Sequence, residues 1–117
     1  MLYEEILALL EEVIGEKGKS FTVGKFSGIG WLDFHYKCTT YDGLYPRISL
    51  KQQANGVHIY VMSGEAEFLN EFIDIFGKSA IGKGCVRIKK LTPERQDGIV
   101  KMVEKIKNRS EKKVMSE

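Results

Sequence analysis

Three sets of residues in this chain have types and spacings that could do chemistry. The run Gly77 to Gly84, GKSAIGKG, has the glycine, four residues, glycine, lysine order of a phosphate-binding loop, in which backbone amides and a lysine cradle phosphates at a helix N-terminus. Gly84 follows Lys83 where that loop has Ser or Thr, so the hydroxyl that would hold magnesium is missing. A smaller device, an anion nest of Lys83 with the amides near Gly82 and Gly84, stays open. His35 and His58 could ligate a metal, but neither has the HxxxH or CxxC company that a zinc site needs. Cys85 lies near Lys83 and Arg87, whose charges would favour a thiolate, yet a nucleophilic cysteine also needs a positioned base. A buried, inert thiol is the commoner fate of such a residue, and no triad, carboxylate pair or cofactor fingerprint marks the chain as an enzyme.

The elements that must position these groups belong to one domain, since 117 residues suit a single hydrophobic core. Apolar and charged fractions of 43% and 29% are those of a globular protein. A formal charge of +2 leaves no basic excess for nucleic acid, so none is expected as a partner. The start, MLYEEILALLEEV, is acidic where a signal peptide is cationic, and no apolar run reaches the ~20 residues of a membrane span. A cytoplasmic protein without a membrane partner is therefore expected. Its two cysteines, Cys38 and Cys85, lie far apart and read as thiols.

Residues 2–17 place Leu2, Ile6, Leu9, Leu10, Val13 and Ile14 at helical intervals. From Gly28 to Cys38 the period is two, with Leu32, Phe34, Tyr36 and Cys38 on one side and Trp31, Asp33, His35 and Lys37 on the other. Asp42-Gly43 reads as a turn before a strand containing Ile48 and Leu50, and Asn55-Gly56 as a tight hairpin leading to VHIYVM. A second helix would carry Phe68, Leu69, Phe72, Ile73 and Phe76 between a Ser63 N-cap and a Gly77 stop. CVRIKK forms a fourth strand, and Thr92-Pro93-Glu94 opens a third helix that runs to about Asn108. The expected order is α-β-β-β-α-β-α, an α+β domain over residues 1–108 with a mainly antiparallel sheet and helices on one face. Residues 109–117 should form a frayed polar tail. In this order the glycines of Gly77–Gly84 leave a helix and enter a strand, the reverse of a phosphate-binding loop.

If the helices cover the face carrying Phe34, Ile48, Ile59 and Ile88, strand parity collects Trp31, His35, Arg47, Lys51, His58, Tyr60, Arg87 and Lys89 on the other. Aromatic surface beside several cations suits a small anionic or planar ligand, or a protein partner that supplies aromatic anchors. Wet scaffold, or a face covered in a homodimer, has the same composition, since antiparallel sheets often leave one side in solvent. Exposed edge strands could pair two subunits, although the alternation selects no contact.

The run DFHYKCTTYDG…ISLKQQANGVHIYVM…GKSAIGKGCVRIKKL resembles the bacterial YdhG-like domain family, a group of unknown function, over roughly Leu32 to Leu91. Its most specific pieces are Phe34-His35-Tyr36, HIYVM and Gly82 to Lys90. Gly84 stands where the family commonly has serine, and Thr39 to Gly43 also departs from its pattern. The resemblance implies a frataxin-like α+β fold, and some members are described as intracellular iron chaperones. Frataxin-type proteins bind iron weakly through carboxylates of the first helix, and Glu5, Glu12 and Glu16 fall in one stripe here with Glu4 and Glu11 beside it. Any solvated amphipathic helix would show that stripe. The chain is thus expected to be a small binding domain acting through Trp31, His35, Arg47, Lys51, His58, Tyr60, Lys83 and Arg87. The alternative is an iron-binding chaperone acting through Glu5, Glu12 and Glu16, with weakly bound iron as its cofactor.

Overall fold

The computed structural model describes residues 1–37, 39–63, 67–82 and 84–108. Helix α1 (Leu2–Ile14) leads into strands β1 (Lys19–Val23), β2 (Phe26–Lys37), β3 (Asp42–Gln53) and β4 (Gly56–Val61). A 3-10 turn at Phe68–Phe72 runs into α2 (Ile73–Phe76), a second at Lys78–Ala80 precedes β5 (Cys85–Ile88), and α3 (Pro93–Lys107) follows. The strands form one antiparallel sheet in the order β1-β2-β3-β4-β5. This is a small α+β domain. No helix among the described residues is long and apolar enough to cross a membrane.

The core joins Ile6, Leu10 and Ile14 of α1, Phe68, Leu69, Phe72 and Phe76 of the middle segment, and Ile99, Met102, Val103 and Ile106 of α3 to one sheet face. That face carries Trp31, Ile48, Leu50, Val57, Ile59, Val61, Val86 and Ile88. Helix α1 stops at Gly15, where φ is 88° and the amide bonds to the Glu11 carbonyl; this is a left-handed end that glycine takes without Cβ strain. Lys107 Nζ donates to the Ile14 carbonyl at 3.0 Å, so the last turn of α3 satisfies an acceptor that the end of α1 leaves open. Helix α3 begins as its sequence requires, with Thr92 Oγ1 accepting from the Arg95 amide at 3.2 Å and proline in the first turn.

Four features differ from the sequence expectation. A further strand, β1, lies at the sheet edge; its apolar Phe21 and Val23 face away from the helices, so it lacks the pattern of a core strand. Asp42 and Gly43 open β3 instead of forming the turn. The expected second helix is mostly a 3-10 turn, in which Glu67, not Ser63, occupies the N-terminal position and offers no side-chain cap. The fourth concerns β2, whose two faces are exchanged. Trp31 pairs with Ile48 and is 1% exposed beneath the helices, its indole donating to the Glu16 carbonyl at 3.1 Å. Phe34 lies on the other face, opposite Tyr45, and is buried outside the helix-covered core.

Both sides of β2 carry large apolar residues, so alternation alone does not select the inner one; pairing with β3 does. Leu32 takes a left-handed φ of 59° between the two paired stretches, yet the register is the same on either side of it. The Cys38 thiol and the tail 109–117 lie outside the described residues. Because Trp31 is core and not surface, Trp31→Ala should lower unfolding free energy by about 3–5 kcal/mol. A loss near the ~0.5 kcal/mol typical of surface sites, read from a urea melt, would return the indole to the open face.

Candidate binding face on the uncovered side of the sheet

Cross-strand pairing lines up side chains on the face away from the helices in rows. One row runs Phe21, Gly28, Lys51, His58, Arg87; the next runs Lys19, Gly30, Ser49, Tyr60, Cys85. Directly opposed side chains sit about 5 Å apart at Cβ, so Lys51, His58 and Arg87 form a short line of nitrogen-bearing groups across β3, β4 and β5. Gly30 of β2 makes room for a ring. A Cβ on Gly30 would stand 2.6 Å from Pro46 and 3.2 Å from Phe21, so the bare backbone there lets Phe21 reach Tyr45.

The rings form a continuous chain across the face. Phe34 meets Tyr36 at 5.8 Å between centroids, Tyr36 meets Tyr45 at 5.7 Å, and Tyr45 meets Phe21 at 6.0 Å. Phe21 then meets Phe26 at 5.5 Å, Phe26 meets Tyr60 edge-on at 4.9 Å, and Tyr60 meets His58 at 5.9 Å. These spacings are those of favourable tilted and edge-to-face pairs. Two cations lie over the rings: Lys51 Nζ is 4.7 Å from the Phe26 centroid and Arg47 Cζ 5.9 Å from that of Phe34. The Gln53 amide donates to the Tyr60 hydroxyl at 3.2 Å, and Arg87 Nη2 donates to the Ser79 carbonyl at 3.3 Å.

Burial among neighbouring groups lowers the His58 pKa from its ordinary 6.5, and the Arg87 charge lowers it further. Its Nε2 lies 3.2 Å from Asn55 Oδ1. Burial likewise raises the Tyr45 hydroxyl, with Tyr36, Tyr41 and Tyr60 adding to the effect. The Cys85 thiol is raised mainly by burial, against the opposing influence of the Gly82 amide and Arg87, which favours the protonated thiol over a nucleophile.

Of the residues expected to form the site, Arg47, Lys51, His58, Tyr60 and Arg87 share this face. Trp31 does not, for the reason given above. His35 belongs to the Trp31 side of β2 but lies beyond the helices, exposed, with Nε2 against Asp42 Oδ1. Lys83 lies outside the described residues, and the Gly82 amide of the suggested nest is already given to the Cys85 carbonyl at 2.8 Å. Among the described residues no three His, Cys, Asp or Glu side chains are placed to hold a metal ion. Glu5 and Glu12 are two turns apart, and Glu16 lies past the last residue of α1, so Glu5, Glu12 and Glu16 are not drawn together as donors. Sequence reasoning missed Phe21, Phe26, Tyr36 and Tyr45. The signals were the two-residue spacing of Tyr36 from Phe34, on a strand whose faces were read the wrong way round, and that of Tyr45 from Arg47 on β3.

The lowered His58 pKa has a direct consequence. A proton NMR titration should place its midpoint below 6.5, and Arg87→Ala should move it upward; an unchanged midpoint would remove Arg87 from its surroundings. Since protonation then favours the unfolded chain, His58 should cost stability as pH falls through the range just below 6.5. Compared with known proteins, the chain matches no family model, and no curated protein or solved structure was found to match it.

Proposed function

We propose that this protein is a binding domain whose uncovered sheet face takes a small anionic ligand with a flat, apolar part. The observation that carries this reading is the row Lys51, His58, Arg87 set in register beside the Phe26 and Tyr60 rings. The nitrogen groups suit a carboxylate or phosphate, and the rings suit the planar remainder. The group on the anion would meet donors from three strands of a rigid sheet, which limits the entropy lost on binding. The half-buried, protonated Cys85 at the end of the neighbouring row gives no reason to assign turnover.

The resemblance of residues 32–91 to the YdhG-like family supports reading the fold as frataxin-like, with an α1-first order and an antiparallel sheet under helices. Iron handling through α1 gains nothing from the geometry, because its glutamates do not converge. Binding at the sheet face accounts for the same fold without them.

NMR titration with phenyl phosphate and benzoate tests the proposal. Saturable shifts are expected at Lys51, His58, Tyr60 and Arg87, with affinity rising as pH falls below 6.5 and His58 gains charge. Arg87→Ala and Lys51→Ala should each weaken binding by roughly tenfold, the effect of losing one charge-assisted hydrogen bond. Absence of saturable shifts with both probes, or equal affinity in the Arg87→Ala protein, would refute it.

A further inference from the structure

Strands β2 and β3 are each 12 residues long, but their neighbours cover only part of them. Strand β1 pairs with β2 from Phe26 to Gly30, and β4 pairs with β3 from Ile48 to Gln53. The stretches Asp33–Lys37 and Asp42–Pro46 therefore project as a two-stranded arm. Such a ribbon is marginal alone, and here the Phe34, Tyr36, Tyr41 and Tyr45 rings brace one of its faces. The other face carries the most exposed apolar side chain of the sheet, Leu44, at 65%. Among the described residues no strand lies beside Asp33–Lys37 on the outer side of β2.

We propose that this edge pairs antiparallel with the same edge of a second copy, about a two-fold axis through His35. The sequence Asp33-Phe34-His35-Tyr36-Lys37 is complementary to itself when reversed. Asp33 of each copy falls opposite Lys37 of the other, Phe34 opposite Tyr36, and His35 opposite His35. Both charges are exposed, and among the described residues neither has an ion-pair partner within its own chain. A pocket of about 80 Å³ beside Asp33, lined also by Glu16, Lys17 and Lys19, leaves room for the long side chain of the second copy's Lys37. Phe34 and Tyr36 lie on the ring-bearing face, so the aromatic chain of one copy continues into that of the other.

The other exposed edges lack this property. Reversed on itself, Lys19–Val23 sets Lys19 against Val23, and Asp42–Pro46 sets Asp42 against Pro46; neither offers opposite charges. The edge of β5 is partly closed by the bridge between Ile81 and Val86 and by the Arg87 contact with Ser79. An isologous pair needs one self-complementary patch, and Asp33–Lys37 is the stretch that supplies it. The dimer edge is distinct from the anion-binding row, since Lys51, His58 and Arg87 lie on β3, β4 and β5 and the copies pair through Asp33–Lys37 of β2.

Sedimentation equilibrium over roughly 10 μM to 1 mM tests it, the range of a short interface below the standard size. The wild-type protein should dimerise within that range. Asp33→Lys and Lys37→Asp each create two like-charge pairs across the axis and should weaken the dimer by about tenfold or more, while the double variant should restore it. Circular dichroism confirms that each variant folds. Residues at the axis are a non-hydrogen-bonded or hydrogen-bonded pair, within disulfide reach in either case. His35→Cys, in a Cys38→Ser/Cys85→Ser background, should therefore oxidise to a covalent dimer where Ser20→Cys in the same background does not. A wild-type protein monomeric to 1 mM, or a dimer indifferent to both single charge reversals, overturns the proposal.

Discussion

The pairing of Trp31 with Ile48 sets the arrangement of everything else in this molecule. Side chains alternate along a strand with a period of two, so a one-residue slip between β2 and β3 would move the indole into water and the rings under the helices. Trp31 resists that slip in two ways. Its ring is buried in the helix-covered core, and its nitrogen is tied to the Glu16 carbonyl just past the end of α1. Fully burying such a ring contributes on the order of a few kcal/mol, and an indole N–H left without an acceptor would cost about 1–3 kcal/mol. The registers of β3 with β4 and of β4 with β5 align Lys51 with His58 and His58 with Arg87 on the opposite side.

The sheet consequently has two apolar layers of unequal kind. One is mostly aliphatic on the sheet side, with Trp31 among its residues, and is closed by helices. The other is a single layer of rings covered by one another, with Lys51 lying over Phe26 and Arg47 over the buried Phe34. Long cationic side chains can lie along rings while their heads stay in water, so such a layer can exist without a second set of helices. Binding and stability share these residues: the rings that would receive a flat ligand also brace β1 against β2 and β2 against β3.

Much of this was legible before any coordinates. The helical period read over residues 2–17, the Asn55-Gly56 hairpin, the Thr92-Pro93 helix start and the parity of β3, β4 and β5 are local signals; the structure agrees with each, except that Gly15 ends the first helix at Ile14. The faces of β2 were not legible, because Ile29 and Trp31 on one side and Phe26, Phe34 and Tyr36 on the other offer comparable apolar bulk. Only the long-range pairing breaks that tie. Strand β1 was hidden for a related reason, since its apolar residues point to the ring layer. The acidic stripe of α1 was visible as composition, but a helix spreads Glu5 and Glu12 along its axis where a metal would need them to converge.

Among the described residues between β4 and β5, the core is sealed by two 3-10 turns and a single turn of α-helix, not by a full helix. Such turns hold fewer and poorer backbone hydrogen bonds than an α-helix of equal length. Phe68, Phe72 and Phe76 thus provide much of the apolar contact of a segment whose own backbone is weakly tied. The cover formed by α1 and α3 is two full helices, whereas this flap packs into the same core through short turns and is tied to α3 by the Glu71–Lys105 ion pair at 2.9 Å. Its amides should be the first within the core layer to exchange with solvent, and brief lifting of the flap would uncover three phenylalanines while the opposite face of the sheet stays intact.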